Sequence, residues 1–377
     1  MGDTELKIAF IGAGAVNFGG GEGPWDHASR LEKIAGLRVV GIADPDLTRA
    51  ETRLRERRAP MYSNARAYMD YRAMLEEQRP DAVWIGVPPY SHGTAEPGKD
   101  LELQCASRGI HMFIEKPLAA ARPERVRPVA DALRKAGVIT SVGYMFRYSR
   151  AVETMEKILA ETPGGPRAFV GQYDCAYSRI LKPEWWDVRA MGGPIVEQAT
   201  HFVDLALCLM GDVDLSSVRA VSIPGSSPAG TLSDVPRLPD GRPMDNGVPP
   251  EYRHPRATAA VWKFRSGAVG SLTHASLLHR EKYDTRLEVW GDGLRVVLQD
   301  PYGRPRVEVR RPHSEETEVI EIGDDDPYLS EDQAFVTAIR TGDRSGIRCG
   351  YADGLATYEL TWAITDAASN ERGPVGS

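Results

Sequence analysis

No run of about 18 apolar residues occurs anywhere in this 377-residue sequence, so no membrane-spanning helix is expected. The opening Met1-Gly2-Asp3-Thr4-Glu5 is polar and acidic and lacks the apolar core of a secretory signal. Cysteine is scarce. Cys105, Cys175, Cys208 and Cys349 form no CxxC pair and no metal-ligand spacing, which fits reduced thiols in a reducing compartment. An excess of positive charge is missing too: 46 Lys+Arg stand against 53 Asp+Glu, for a net charge of −7. Nucleic-acid binding needs a concentrated basic face, and the basic run Arg53–Arg58 is interrupted by Glu56 and reads as a solvated helix face. No internal repeat is visible. These absences lead to the expectation of a cytoplasmic protein with neither a membrane nor a nucleic acid as partner.

What is present is ordinary in amount, with 42% hydrophobic and 26% charged residues, and the length suits two domains. Through residue 145, short apolar runs alternate with helical patterns. The runs Lys7–Ile11, Leu37–Ala43, Ala82–Val87, His111–Ile114 and Val138–Gly143 read as strands, with Arg66–Tyr68 as one more candidate. Helical patterns lie near Trp25–Ala35, Pro45–Arg58, Ala67–Glu77, Glu96–Arg108 and Pro123–Ala136. Continuous apolar strands, each followed by a helix, predict a doubly wound α/β domain with a parallel sheet, the Rossmann arrangement.

After Ser149 the rhythm changes. A helix (Ala151–Ala160), a strand (Ala168–Cys175) and a long helix (Pro194–Met210) precede successive strands from Thr258 to Ile322. Two helices, near Ser330–Thr341 and Ala352–Ser369, close the chain. This half is expected to be α+β with a large, mostly antiparallel sheet. The predicted domains are residues 1–148, binding a dinucleotide, and 149–377, serving substrate binding and oligomerisation, with the closing helices 330–370 able to pack back on the first. Residues 222–256 hold eight prolines and four glycines and should form neither a helix nor a central strand. They are either a functional loop or a surface decoration.

Four features carry chemistry. Strand Lys7–Ile11 runs into Gly12-Ala13-Gly14, where Gly12 makes a tight turn and Gly14 lets backbone approach a pyrophosphate. A third glycine is lacking, because Asn17 occupies its place. Gly19-Gly20-Gly21-Glu22-Gly23-Pro24 then enlarges the loop before a helix expected to start near Trp25. The second strand ends at Asp44, where such folds place an acid on the adenosine ribose, and no Lys or Arg directly follows. That favours NAD over NADP. The fourth apolar strand ends in Glu115-Lys116-Pro117, at the sheet edge where functional residues gather. A lysine buried there near a positive nicotinamide gains useful acid/base character. Finally, Gly192-Gly193-Pro194 opens a helix on which Ile195, Ala199, Phe202 and Ala206 form one stripe and Glu197, His201, Asp204 and Cys208 another. One stripe can bury while the other turns a Glu–His pair toward a cleft.

In this order, together with Val87-Pro88-Pro89-Tyr90-Ser91-His92, Gly143–Tyr148 and Trp185-Trp186, these features resemble the Gfo/Idh/MocA oxidoreductases, a family that includes glucose-fructose oxidoreductase, inositol dehydrogenases and dihydrodiol dehydrogenases. The resemblance implies cofactor contacts from Gly12, Gly14, Ala15, Asp44, Pro88, His92, Glu115 and Lys116, with Glu115 on the nicotinamide ribose. Val87 and Pro89 depart from the family's Thr-Pro-Asn segment. It further implies a cis Lys116–Pro117 bond, catalysis by Lys116 and His201 with Glu197 in place of the usual Asp, and a supporting role for Asp204. Arg147, Tyr148, Trp185 and Trp186 are candidates, with Lys116 and His201, to line the substrate pocket. No metal is implied.

The expectation is hydride transfer between NAD(H) and a secondary alcohol or ketone of a sugar, cyclitol or related ring, at a site between the first sheet's carboxyl edge and the second sheet. Glycoside cleavage through transient oxidation and elimination is one alternative, and a non-catalytic NAD-binding regulator another. Too few helices follow to cover both faces of the second sheet, and relatives self-associate through the open face, so a dimer or tetramer is expected.

Overall fold

The computed structural model describes residues 5–21, 23–227, 235–279 and 282–370. Two compact units divide the chain: residues 1–148 with 326–355, and 149–325 with 356–377. Among the described residues, no helix is long and apolar enough to cross a membrane.

The first unit is built on β1 (Leu6–Ile11), β2 (Leu37–Ala43), β3 (Arg66–Tyr68), β4 (Ala82–Ile85), β5 (His111–Ile114) and β6 (Thr140–Val142). All are parallel, in the order β3-β2-β1-β4-β5-β6. This is the doubly wound arrangement, with its topological switch between β1 and β4. Ile8, Ala9 and Phe10 of β1 and Val83 and Trp84 of β4 are wholly buried, as strands covered on both faces require. The Trp84 ring stacks on Phe113, centroids 6.2 Å apart. Phe335 of the late helix Pro327–Thr341 meets both edge-on, which places that helix in the core of the first unit.

Local chemistry explains where the elements begin and end. The Pro123–Ala136 helix has Pro123 in its first turn and stops at Gly137, whose φ is +69°. Asp70 caps a helix at Tyr71–Gln78 by accepting from Arg72 N, so the predicted helical pattern at Ala67–Glu77 opens instead with β3. Asp26 caps His27–Leu31 in the same way. The extra glycines precede the His27–Leu31 helix, as expected, but a short helix comes ahead of them. This four-residue helix, Ala15–Phe18, follows Gly14 at once.

In the second unit, β7 (Ala168–Asp174), β8 (Val213–Ile223), β9 (Ala257–Phe264), β10 (Val269–Ala275), β11 (Asp284–Trp290), β12 (Arg295–Gln299), β13 (Arg306–Arg310) and β14 (Glu318–Glu321) form one sheet. Its order is β14-β13-β12-β11-β7-β10-β9-β8, antiparallel throughout except for the β7–β10 pair. The helices Arg150–Ala160 and Thr200–Met210 pack on it. Along β9 and β10, buried and exposed residues alternate. Val221, Val261, Val269 and Trp290 are exposed on the opposite face.

Two further differences concern this unit. β8 was not anticipated, and it carries Ser222 and Ile223 of the Pro/Gly-rich segment into an edge strand, where its remaining residues place no demand on a second partner. Val235 and Met244 of that segment pack against Tyr177, Ile180 and Trp186; residues 228–234 of it lie outside the described residues. The predicted helix at 194–210 is interrupted. Pro194–Glu197 and Thr200–Met210 are separate, joined through Gln198 and Ala199. Gln198 there bonds His274 of β10 through its side chain.

Candidate functional site

In the first unit the site begins where β1 ends. Gly12 has φ +97°, and a Cβ there would lie 2.4 Å from Gly86 O, so only glycine fits. A Cβ on Gly14 would meet nothing within 4 Å, which leaves open space in front of the backbone at that turn. Ala15 starts the short helix. Asn17, where a third glycine is common, donates to Gly12 O at 2.8 Å and braces the turn from within. Arg57 clamps the enlarged stretch by donating to Phe18 O, Asp26 and Glu32 at 3.0–3.2 Å. It is thus largely buried, not part of a solvated basic face.

Asp44 is buried. Its Oδ2 accepts from Ala13 N at 2.8 Å, and its Oδ1 from Asp46 N at 2.9 Å and Arg49 Nη2 at 2.7 Å. Burial opposes its ionisation, but these bonds outweigh that and hold the carboxyl below its usual range. The cation that the residues right after Asp44 do not supply therefore comes from one helical turn further on.

Pro88 is exposed and opens a 3₁₀ turn at Pro89–Ser91. His92 is buried, with Nδ1 2.5 Å from Glu102 Oε1, while Glu102 Oε2 accepts from Gly93 N. At the end of β5, Glu115 Oε1 lies 2.9 Å from His27 Nε2. Lys116 follows, joined to Pro117 by a cis peptide bond. His27 Nδ1 lies 2.9 Å from Asp332 Oδ1, which also accepts from Trp84 Nε1 at 2.8 Å. Burial disfavours a charged His27, yet Asp332 and Glu115 overcome it and raise its pKa well above the ordinary value. Beside them, burial and then repulsion from Glu115 push the Glu331 carboxyl well up.

Arg147 and Tyr148 are buried in the same unit. Arg147 donates to Arg348 O at 2.7 Å, and Tyr148 Oη accepts from Arg348 N at 2.9 Å. Burial raises the Tyr148 hydroxyl to about 12. Both side chains thereby hold residue 348 in place.

In the second unit, Glu197, at the end of Pro194–Glu197, and His201 and Asp204, on Thr200–Met210, are all buried along with the apolar stripe, so that stripe's charged counterpart does not face solvent. The His201 ring lies edge-on to Tyr302, centroids 6.2 Å apart. Asp204 Oδ1 accepts from Thr357 Oγ1 at 2.9 Å. Trp185 and Glu197 line a small cavity with Gln198 and His254. Trp186 is 1% exposed and donates to Ile180 O, so its ring is core. A polar chain that the sequence did not announce runs behind the cavity. His254 sits 3.1 Å from Ser276 Oγ, Ser276 lies 3.5 Å from Cys175 Sγ, and Gln198 Oε1 lies 2.9 Å from His274 Nε2.

Comparison with known proteins agrees with this layout. Residues 6–144 match the model of the oxidoreductase family with an NAD-binding Rossmann fold, and residues 147–294 that of an oxidoreductase C-terminal domain. A protein of Schizosaccharomyces pombe described as uncharacterized is 38% identical over 376 residues, 96% of each chain. The chain belongs to the Gfo/Idh/MocA oxidoreductase family.

Among Gfo/Idh/MocA relatives, the D-glucoside 3-dehydrogenase of Escherichia coli is 28% identical over 230 residues, 59% of each chain. An NAD-binding oxidoreductase of Klebsiella pneumoniae shares the fold, with a TM-score of 0.76 and 20% identity over 98% of both chains. Like its family, this oxidoreductase takes a nicotinamide dinucleotide. Its own residues fit that group: the open space before Gly14 admits a pyrophosphate, and buried Asp44 closes the turn from the second strand. Sequence reasoning missed His27, Asp332, Glu331, His254 and His274, and the bond from Arg49 to Asp44. Asp332 alone left a trace, as a charge on the apolar stripe with Phe335 and Val336.

Proposed function

We propose that this oxidoreductase is an NAD-dependent dehydrogenase or reductase for a secondary alcohol or ketone on a sugar, cyclitol or related polyhydroxylated ring. The observation that carries this reading is the placement of Lys116. It follows β5 directly, two strands from the Gly12–Gly14 turn across the switch in strand order, where parallel sheets hold ligands. The name of the D-glucoside 3-dehydrogenase relative supports a sugar.

Bound cofactor would supply the hydride chemistry. Lys116 hydrogen-bonds the reacting oxygen and stabilises charge that develops on it. His201 takes or returns the hydroxyl proton, and Glu197, four residues earlier, orients the imidazole. Gly12, Gly14, Ala15, Asp44, Pro88, His92 and Glu115 position the cofactor. Trp185, half-buried beside Glu197, is better placed to meet a sugar face than core Trp186. All four cysteines are free thiols, which supports a cytoplasmic setting.

A panel of sugars, glycosides, cyclitols and aromatic dihydrodiols, followed by NADH absorbance, tests the proposal. Turnover on polyhydroxylated rings is the expected result. Release of an aglycone without net NADH would replace it with the elimination chemistry, and tight NAD binding with no turnover on any member would favour a regulator.

A further inference from the structure

We propose that His27 Nε2, Glu115 and Glu331 form a binding site for a divalent transition-metal cation, with Asp332 orienting the histidine. The inference does not rest on the proposed substrate, and all four residues belong to the first unit.

The three candidate ligand atoms lie within 4.8 Å of one another. They come from distant parts of the sequence: the start of the His27–Leu31 helix, the end of β5 and the Pro327–Thr341 helix. Metal–nitrogen and metal–oxygen bonds of about 2.1 Å place neighbouring ligands roughly 3.0–3.4 Å apart. The edge between His27 Nε2 and Glu115 Oε1 is already 2.9 Å. A cation there takes the position of the proton now shared along that edge.

Charge argues the same way. Glu331 and Asp332 are at most 1% exposed, and the Glu115 side chain is 12% exposed. Three carboxylates around one imidazole leave a negative excess even when the imidazole is protonated, and buried charge demands compensation. Glu331 Oε2 is buried and has no hydrogen-bond partner among the described residues. A buried carboxyl that reaches the cluster with one oxygen and has an oxygen without a donor is what a metal ligand looks like before the cation is counted.

Asp332 supplies the remaining part. It accepts from His27 Nδ1 and from Trp84 Nε1, which fixes the imidazole tautomer and directs Nε2 toward the carboxylates, as in carboxylate–histidine–metal arrangements. One imidazole with two carboxylates suits Zn²⁺, Mn²⁺, Fe²⁺ or Co²⁺ better than an all-oxygen site for Mg²⁺ or Ca²⁺. Bound there, the cation ties the start of the His27–Leu31 helix to the strand end that carries Lys116.

The test uses the full chain, stripped with a chelator and dialysed, then titrated with Co²⁺ alone and read by visible absorbance, with Zn²⁺ as competitor. One Co²⁺ per chain, displaced by Zn²⁺, is expected. Glu331→Gln and His27→Gln should each weaken binding at least 10-fold, and Asp332→Asn about 10- to 100-fold. Glu331→Gln keeps the side-chain shape, so a metal-free melting curve like wild type shows that its loss is not one of folding. Absence of stoichiometric binding by the wild type overturns the site, leaving a cluster neutralised by protons. Stoichiometric binding that neither Glu331→Gln nor His27→Gln weakens overturns it equally.

Discussion

Arg49 donates to Asp44 across a single helical turn, Nη2 to Oδ1 at 2.7 Å, while Asp44 Oδ2 holds Ala13 N in the dinucleotide turn. One carboxylate thus shapes the turn, restrains the nearest cation and retains capacity for one more donor. A 2′-phosphate would meet that anion before it met Arg49. NAD should therefore bind more tightly than NADP. Asp44→Ala removes the repulsion and frees the half-exposed Arg49. It should cost about 10- to 100-fold in NAD affinity, the worth of hydrogen bonds to a charged group, and narrow or reverse the preference against NADP. Titration of both cofactors against both proteins checks this, and an unchanged NADP:NAD ratio in the variant would assign discrimination to other residues.

The buried imidazoles predict acid sensitivity. Burial pushes His254 down to about 4, and burial with repulsion from His254 pushes His274 down to about 3. Both stay neutral in the folded state well below pH 6.5, where an unfolded chain takes up protons. The stability they contribute is complete above about pH 6.5 and is lost as the pH falls toward their folded values. His27 and Glu331, raised in the folded state, act with the opposite sign, so the clean measurement is a difference between proteins. His274→Gln retains a donor for Gln198 but does not titrate. Its stability deficit relative to wild type should shrink by about 2 kcal/mol between pH 7 and pH 5. A deficit constant with pH in chemical denaturation would mean that His274 titrates normally.

How much of this was legible depended on the range of each interaction. Strands β1, β2 and β5 were plain in the sequence because Ile8, Val39 and Phe113 belong to apolar runs buried on both faces. Gly12 and Asp44 were legible because a turn and a strand end have local signatures. His27 was not, since its partner Asp332 lies 305 residues away and only the tertiary fold brings them together. The helix at 194–210 was misjudged for a related reason. Helical periodicity continues through Gln198, but a bond from Gln198 to His274, 76 residues on, accompanies the break. Trp186 read as a candidate pocket-lining residue because sequence cannot say that Tyr177 and His254 enclose it.

Self-association should use the exposed face of the second sheet. β9 and β10 bury alternate residues and leave Val261 and Val269 more than half exposed, with Val221 likewise and Trp290 nearly so. Apolar side chains on adjacent strands form the kind of surface that a partner covers. Light scattering at micromolar concentration should give a dimer or larger. Val261→Lys with Val269→Lys should shift it toward monomer without lowering far-UV helical and strand content. A wild-type monomer would leave this face simply solvated.

Lys116 and His201 are expected to act on the reaction and not on cofactor retention, since the adenosine and pyrophosphate contacts proposed here come from residues 12–44. Lys116→Met and His201→Ala should each lower kcat about 10²–10⁴-fold, the usual cost of an acid/base group, with NAD affinity near the wild-type value. Loss of kcat with little change in substrate KM identifies an interaction made mainly in the transition state. Glu197→Gln should be milder than His201→Ala, because it removes an orienting charge and leaves the proton carrier. His201 is buried beside Tyr302, so His201→Ala also needs a melting curve, and His201→Gln, closer in size, serves as the control for packing. If both His201 variants fold and keep near-normal rates on the true substrate, the residue only fills the core, and the proton must pass through Lys116.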